Sequence, residues 1–215
     1  QGERVSKTAF IAEGNARTTY FLYQDNQLNA EADETGHVTA HYLYLGRMPL
    51  AKLEVGKTGA ETGLLANLKR WLGLHDKNTD SRLYAIHTDQ LGTPQLVTDQ
   101  LQHPVWQAST TAFGKASVSI EKITLNLRLP GQYFDGETNH HYNYFRYYDP
   151  HVGRYLTSDP IGLDGGINTY SYAGGNPISM IDAFGLELCR ITLPGLSETL
   201  LDDSFAPHIQ RWIAL

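Results

Sequence analysis

Short stretches of apolar and aromatic residues, broken by polar clusters, dominate the first half of the chain. Thr18-Thr-Tyr-Phe-Leu-Tyr23 is rich in the β-branched and aromatic residues that suit a pleated, half-buried surface, and Gln24-Asp-Asn-Gln27 supplies turn chemistry. Leu28 to Glu31 predicts a second strand and Val38-Thr-Ala-His-Tyr-Leu-Tyr-Leu45 a third. Between them Asp33-Glu-Thr-Gly36 reads as a turn, with Gly36 where a positive φ is needed. Further strand-like stretches follow at Tyr84–Asp89, Gln95–Thr98 and Val105–Ala108, the last closed by Phe113-Gly114. Leu125 to Asp135 runs to a turn at Gly136, and His140 to Tyr148 carries aromatic residues at nearly every other position. Asp149-Pro150 opens a turn that Gly153 completes. Strands at such spacing predict an all-β arrangement rather than βαβ units. Tyr20-Phe-Leu-Tyr23 and Tyr42-Leu-Tyr44 recur about 22 residues apart, a weak repeat of the kind that stacked hairpins produce.

Two segments depart from this pattern. Between Gly56 and Ser81, Leu64, Leu65, Leu68, Trp71 and Leu72 follow helical spacing, with Lys69 and Arg70 opposite. This predicts a short amphipathic helix or loop inserted between strands. After Leu186, the 29 residues Glu187 to Leu215 are broken by Pro194-Gly195 and read as partly helical, with Ser197 as an N-cap and a second piece at His208–Ile213.

The chain has 215 residues and a formal net charge of −6, and no basic stretch that could neutralise phosphates, so a nucleic-acid scaffold is excluded. No apolar run approaches the roughly 18–20 residues of a membrane-spanning helix, and the start lacks the apolar core of a signal peptide. Gln1 in place of an initiator Met reads as a break within a longer chain, and the strand nearest it as an unpaired sheet edge. Cys189 has no internal disulfide partner. Adjacent His140 and His141 would face opposite sides of a strand, and His37 and His41 are separated from any helix by a turn, so no metal site is expected. No Gly-x-Ser-x-Gly elbow is present. The 13 Tyr, nearly twice the 7 Phe, suit half-buried sheet faces. With Trp106 on a strand they also raise a carbohydrate-binding reading.

His87-Thr-Asp-Gln-Leu-Gly-Thr-Pro94, Gly131-Gln-Tyr-Phe-Asp135, Tyr142-Asn-Tyr-Phe-Arg-Tyr-Tyr-Asp-Pro150 and Gly153-Arg-Tyr155 together resemble the core of bacterial Rhs proteins. Asp159-Pro-Ile-Gly-Leu163, Asn176-Pro177 and Asp182-Ala-Phe-Gly-Leu186 resemble that family's closing signature. The resemblance implies a mainly β fold: a Tyr/Asp-repeat hairpin sheet forming the end of a hollow Rhs-type cocoon. On that reading residues 1–55 are repeat strands, 56–81 the insertion, 82–186 the Rhs-associated core and 187–215 a variable tail, a truncated or degenerate toxin. It implies a polymorphic-toxin shell used in bacterial competition, made in the bacterial cytoplasm and then secreted or delivered to a target cell. Its partners would be the shell upstream of Gln1, its own C-terminal effector segment, a secretion-system carrier and an immunity protein, with no cofactor.

The resemblance also implies self-cleavage between Leu186 and Glu187 by Asp159 and Asp182, with Arg154 orienting a carboxylate or the scissile carbonyl. Two carboxyls around a water can share one proton, because like charges held close push one pKa up. The bland alternative is that Asp before Pro simply opens a turn. One departure matters: Ala183 stands where the family has proline, relaxing the backbone beside Asp182. The rival reading is therefore a non-cleaving shell or interaction chain with no activity.

Overall fold

The structure is a computed structural model that describes residues 3–10, 16–56, 81–186 and 189–190. The predicted helical insertion and the predicted tail helices lie outside those residues. The chain divides into two compact units, Arg4–Thr110 with Ala116–Asn126, and Thr111–Lys115 with Leu127–Leu215 and Gln1–Glu3.

The Arg4–Thr110 unit holds nine strands: β1 (Ser6–Phe10), β2 (Ala16–Gln24), β3 (Gln27–Ala32), β4 (Val38–Leu45), β5 (Met48–Glu54), β6 (Arg82–Thr88), β7 (Pro94–Thr98), β8 (Pro104–Thr110) and β9 (Ala116–Glu121). Each pairs antiparallel with the next, giving a meander with β1 and β9 as outer strands. β5 pairs directly with β6, so the strands on either side of residues 57–80 belong to one sheet. The expected boundary near residue 81 therefore interrupts the chain but not the ladder, and the change of unit falls after Asn126. Tyr42, Lys52 and Tyr84 sit opposite one another across β4, β5 and β6 and are all buried. The Lys52 ammonium is paid for by Glu54 Oε1 at 2.8 Å and the Thr124 carbonyl at 2.6 Å, as a buried charge requires. Trp106 is 1% exposed on β8, so it offers no stacking face to the carbohydrate reading.

The aspartates of the repeat have a structural job. Asp33, Asp89 and Asp99 each follow a strand, and each uses Oδ1 to accept the backbone N–H groups two and four residues on, at 2.9–3.1 Å. One carboxylate oxygen thus closes the turn and fixes the register of the next strand.

The second unit carries β10 (Tyr133–Asp135), β11 (His140–Asn143), β12 (Arg146–Asp149) and β13 (Arg154–Tyr155), an antiparallel four-stranded sheet, followed by β14 (Met180–Ile181) paired with β15 (Cys189–Arg190). The aromatic run from His140 to Tyr148 is a hairpin rather than one strand, because Tyr144 takes φ 53° and turns the chain. Its core is Leu129, Tyr148, Tyr155, Tyr172 and Ala173. The rings of Tyr148 and Tyr172 approach to 4.9 Å between centroids and those of Tyr148 and Tyr155 to 5.6 Å. Gly131, at φ 83°, lies against the Ala183 carbonyl, so any side chain there would collide with backbone.

His141 is buried on β11, with Nδ1 2.6 Å from Gln132 Oε1, whereas His140 is partly exposed on the opposite phase. Burial, then the Arg128 charge, pulls the His141 imidazole from 6.5 down to about 3. Between those values the unfolded chain binds a proton that the folded chain refuses, so stability falls as pH drops from about 6.5 toward 3. His141→Asn, which keeps a donor for Gln132 but cannot titrate, should flatten that fall in urea unfolding measured at pH 7, 5.5 and 4.

Candidate functional site

Arg146 is the centre of the site. On β12, Arg146 and Tyr148 point inward while Tyr147 points out. This alternation buries a guanidinium, which must then find acceptors for its fixed fork of donors. Nε donates to the Gly185 carbonyl and Nη1 to the Thr169 carbonyl at 2.9 Å. Nη2 reaches both candidate aspartates, Asp159 Oδ2 at 2.7 Å and Asp182 Oδ2 at 3.3 Å. The guanidinium also lies over the Tyr155 ring, 3.6 Å from its centroid. Two carboxylates that are 23 residues apart in sequence therefore converge on one nitrogen.

Both aspartates are turn aspartates with a second task. Asp159 Oδ1 accepts the Ile161 N–H at 3.1 Å, and Asp182 Oδ1 accepts the Leu186 N–H at 2.9 Å. In each case Oδ1 builds the turn and Oδ2 faces Arg146. Asp182 Oδ2 also accepts the Tyr155 hydroxyl at 2.8 Å. Asn143 donates to the Tyr155 oxygen at 2.7 Å and to the Asp182 carbonyl at 2.8 Å. These bonds orient Asp182 firmly with alanine at 183, so the loosening expected from the missing proline is not seen in its side-chain contacts.

The two carboxylates are buried, their side chains each 3% exposed. Burial pushes the Asp159 carboxyl above its ordinary value, against the pull of the Ile161 N–H and Arg146. Burial does the same to Asp182, against the Tyr155 hydroxyl, Arg146 and the Leu186 N–H. One guanidinium facing two ionised carboxylates leaves a net negative charge in a dry site, and uptake of one proton by the pair removes it.

Leu186 sits beside this pair. Its N–H is held by Asp182, on the connection that leaves β14. A Cβ added to Gly165 would stand 2.5 Å from Asp159 Oδ2 and 3.1 Å from the Leu186 carbonyl oxygen, so one point touches both atoms. Glu187 lies outside the described residues.

Arg154, the arginine expected at the site, is exposed on β13 and is not brought to the carboxylates, because Tyr155 takes the inward phase of that strand. Arg146, Tyr155 and Asn143 were not legible as site residues. The available signal for Arg146 was its phase: it shares the inward parity of Tyr148, where a charged residue is costly unless paired. Among the described residues no cluster of His, Cys, Asp or Glu could hold a metal ion, and no helix is long and apolar enough to cross a membrane.

A nine-stranded antiparallel meander, followed by a tyrosine-cored unit that buries two aspartates on one arginine, defines a mainly β chain. Residues 84–120 match the family model described as RHS protein. The chain is 36% identical over 195 residues to double-stranded DNA deaminase toxin A of Burkholderia cenocepacia, covering 86% of this chain and 13% of that protein. It is 37% identical over 107 residues to toxin protein Tse5 of Pseudomonas aeruginosa, covering 50% of this chain and 8% of that one. The crystal structure of TcdB2-TccC3-TEV shares the fold, with a TM-score of 0.60 and 23% identity over 86% of this chain and 8% of that one. Together these matches support an Rhs protein with a C-terminal Rhs-associated region. It spans only about an eighth of the length of the Burkholderia protein.

Proposed function

We propose that this chain is the closing part of an Rhs shell and hydrolyses its own Leu186–Glu187 bond, freeing the effector segment that follows. The observation that carries this reading is the convergence of Asp159 and Asp182 on Arg146, with the Leu186 N–H held by Asp182 and the Leu186 carbonyl oxygen and Asp159 Oδ2 both bordering the space over Gly165. In the proposed step Asp159 holds the proton of the pair and Asp182 is ionised. Asp182 takes a proton from water, whose oxygen bonds to the Leu186 carbonyl carbon, while Asp159 gives its proton to the carbonyl oxygen. Collapse of the tetrahedral intermediate breaks the C–N bond, and the proton gained by Asp182 leaves on the Glu187 nitrogen. As the C=O bond re-forms, the hydroxyl on the former carbonyl oxygen returns its proton to Asp159, leaving a Leu186 carboxyl, a Glu187 amine and the pair in its starting state. Arg146 holds both carboxylates in register and touches the Gly185 carbonyl next to the reacting residue.

The relatives named as toxins support extending this to delivery of a toxic C-terminal segment, with the upstream shell, a secretion-system carrier and an immunity protein as partners. A second reading rests on one observation: each of the four carboxylate oxygens is already held, three by hydrogen bonds and Asp159 Oδ2 by its ion pair with Arg146, which is what a purely structural clamp requires. Intact-mass analysis of the incubated full-length chain separates the two. Fragments divided at Leu186–Glu187 support hydrolysis, and a chain still whole across pH 4 to 8 supports the clamp.

Gly165 gives a steric test of the same geometry. Gly165→Ala puts a methyl group against Asp159 Oδ2 and the Leu186 carbonyl oxygen, and Arg146 and the Ile161 N–H leave Asp159 little room to yield. Cleavage should slow by about 10²-fold, as expected for a displacement of this size at reacting atoms. Thermal unfolding of the variant checks that the fold survives. An unchanged cleavage rate would mean that Asp159 does not act on that carbonyl.

A further inference from the structure

Asn143 and Tyr155 form a chain of hydrogen bonds that ends on one aspartate only. Asn143 is fully buried, and its orientation is fixed because the Asp182 carbonyl, 2.8 Å from Nδ2, can only accept. The same amide donates to the Tyr155 oxygen at 2.7 Å. The tyrosine therefore accepts from Asn143 and has its own proton left to give, and the Asp182 Oδ2 atom lies 2.8 Å away. No equivalent hydroxyl reaches Asp159 among the described residues, where Oδ1 has the Ile161 N–H and Oδ2 has Arg146. Arg146 meets both carboxylates from one nitrogen, at 2.7 Å for Asp159 and 3.3 Å for Asp182, so it does not favour ionisation of Asp182 over Asp159 and that preference needs another source.

We propose that Tyr155, held by Asn143, is a positioning residue that keeps Asp182 as the ionised member of the pair and thereby assigns the shared proton to Asp159. This rests on the self-cleavage reading and gives its two aspartates unequal roles. Besides the shared guanidinium the Asp182 carboxylate accepts from two donors, the Tyr155 hydroxyl and the Leu186 N–H, and a proton placed on Oδ2 would have to turn a donor toward Tyr155 or Arg146. The groups that face Asp182 are Arg146 from β12, Tyr155 from β13 and Asp159 from the loop after it. The Tyr172 ring packs on Tyr155 with centroids 6.0 Å apart. Burial, then the Asp182 charge, holds the Tyr155 hydroxyl well above its ordinary value, so it remains a donor throughout the pH range of the reaction.

The test is the pH profile of cleavage, which a merely structural tyrosine would leave in place. In the full chain, Tyr155→Phe removes the hydroxyl and keeps the ring under Arg146. The acidic limb of the profile should move up by about 1 pH unit, the size expected for loss of one charge-assisted hydrogen bond. The rate at the optimum should fall less than tenfold. An acidic limb that stays where it is in the wild type overturns the inference while leaving self-cleavage intact. A second measurement does not depend on that variant folding or on cleavage occurring. In a chain blocked by Glu187→Pro, ¹³C titration of the aspartate carboxyls should find Asp159 protonating at higher pH than Asp182. The reverse order overturns the assignment.

Discussion

Asp159→Asn should leave the chain uncut, with cleavage slowed by about 10²–10⁴-fold, the usual contribution of a positioned acid–base group. The amide keeps the shape of the turn, because its oxygen can still accept the Ile161 N–H that Asp159 Oδ1 takes now. What it loses is the proton that can move to the Leu186 carbonyl oxygen. The folded stability should change little or rise, since the variant replaces one of two buried carboxylates that share a single guanidinium. A time course by intact mass, beside an unfolding curve, reads both quantities. If Asp159→Asn cut as fast as the wild type, Asp159 would be only a turn residue.

Arg146→Met should cost the most stability of any single change at the site, about 3–5 kcal/mol. It leaves two buried carboxylates facing each other without their cation, and it strips the Gly185 and Thr169 carbonyls of their donors. Urea unfolding in the Glu187→Pro background keeps the chain whole with both carboxylates in place and gives a clean comparison. Adding Asp182→Asn to Arg146→Met should return part of the loss, because the penalty is that of unpaired charge. A double-mutant cycle in which the two changes simply add would mean that Arg146 acts by packing alone.

The strands were legible in the sequence because alternation and turn chemistry are local signals. Val38–Leu45 is predicted and found with the same bounds, and Asp33-Glu-Thr-Gly36 is the turn before it. The hairpin at Tyr144 was not legible, since a tyrosine at positive φ gives no cue of the kind that glycine does. The two aspartates stand out through resemblance, and the turn reading given to Asp159 holds and extends to Asp182: one oxygen of each closes a turn while the other faces Arg146. Arginine was the instructive case. The resemblance pointed to Arg154, whereas strand phase leaves Arg154 exposed and turns Arg146 toward the two carboxylates. Asn143 and Tyr155 could not have been paired with Asp182 from spacing, because those contacts span 39 and 27 residues.

The central claim is that water, activated by the Asp159–Asp182 pair, divides Leu186 from Glu187. Incubating freshly purified full-length chain in H₂¹⁸O and sequencing the fragments by mass spectrometry tests it most directly. The account predicts a fragment ending at Leu186 with one ¹⁸O in its new carboxyl, a partner fragment beginning at Glu187, and neither product from Asp159→Asn. A chain that stays whole, a cut at another bond, or a Leu186 carboxyl without the label would contradict it.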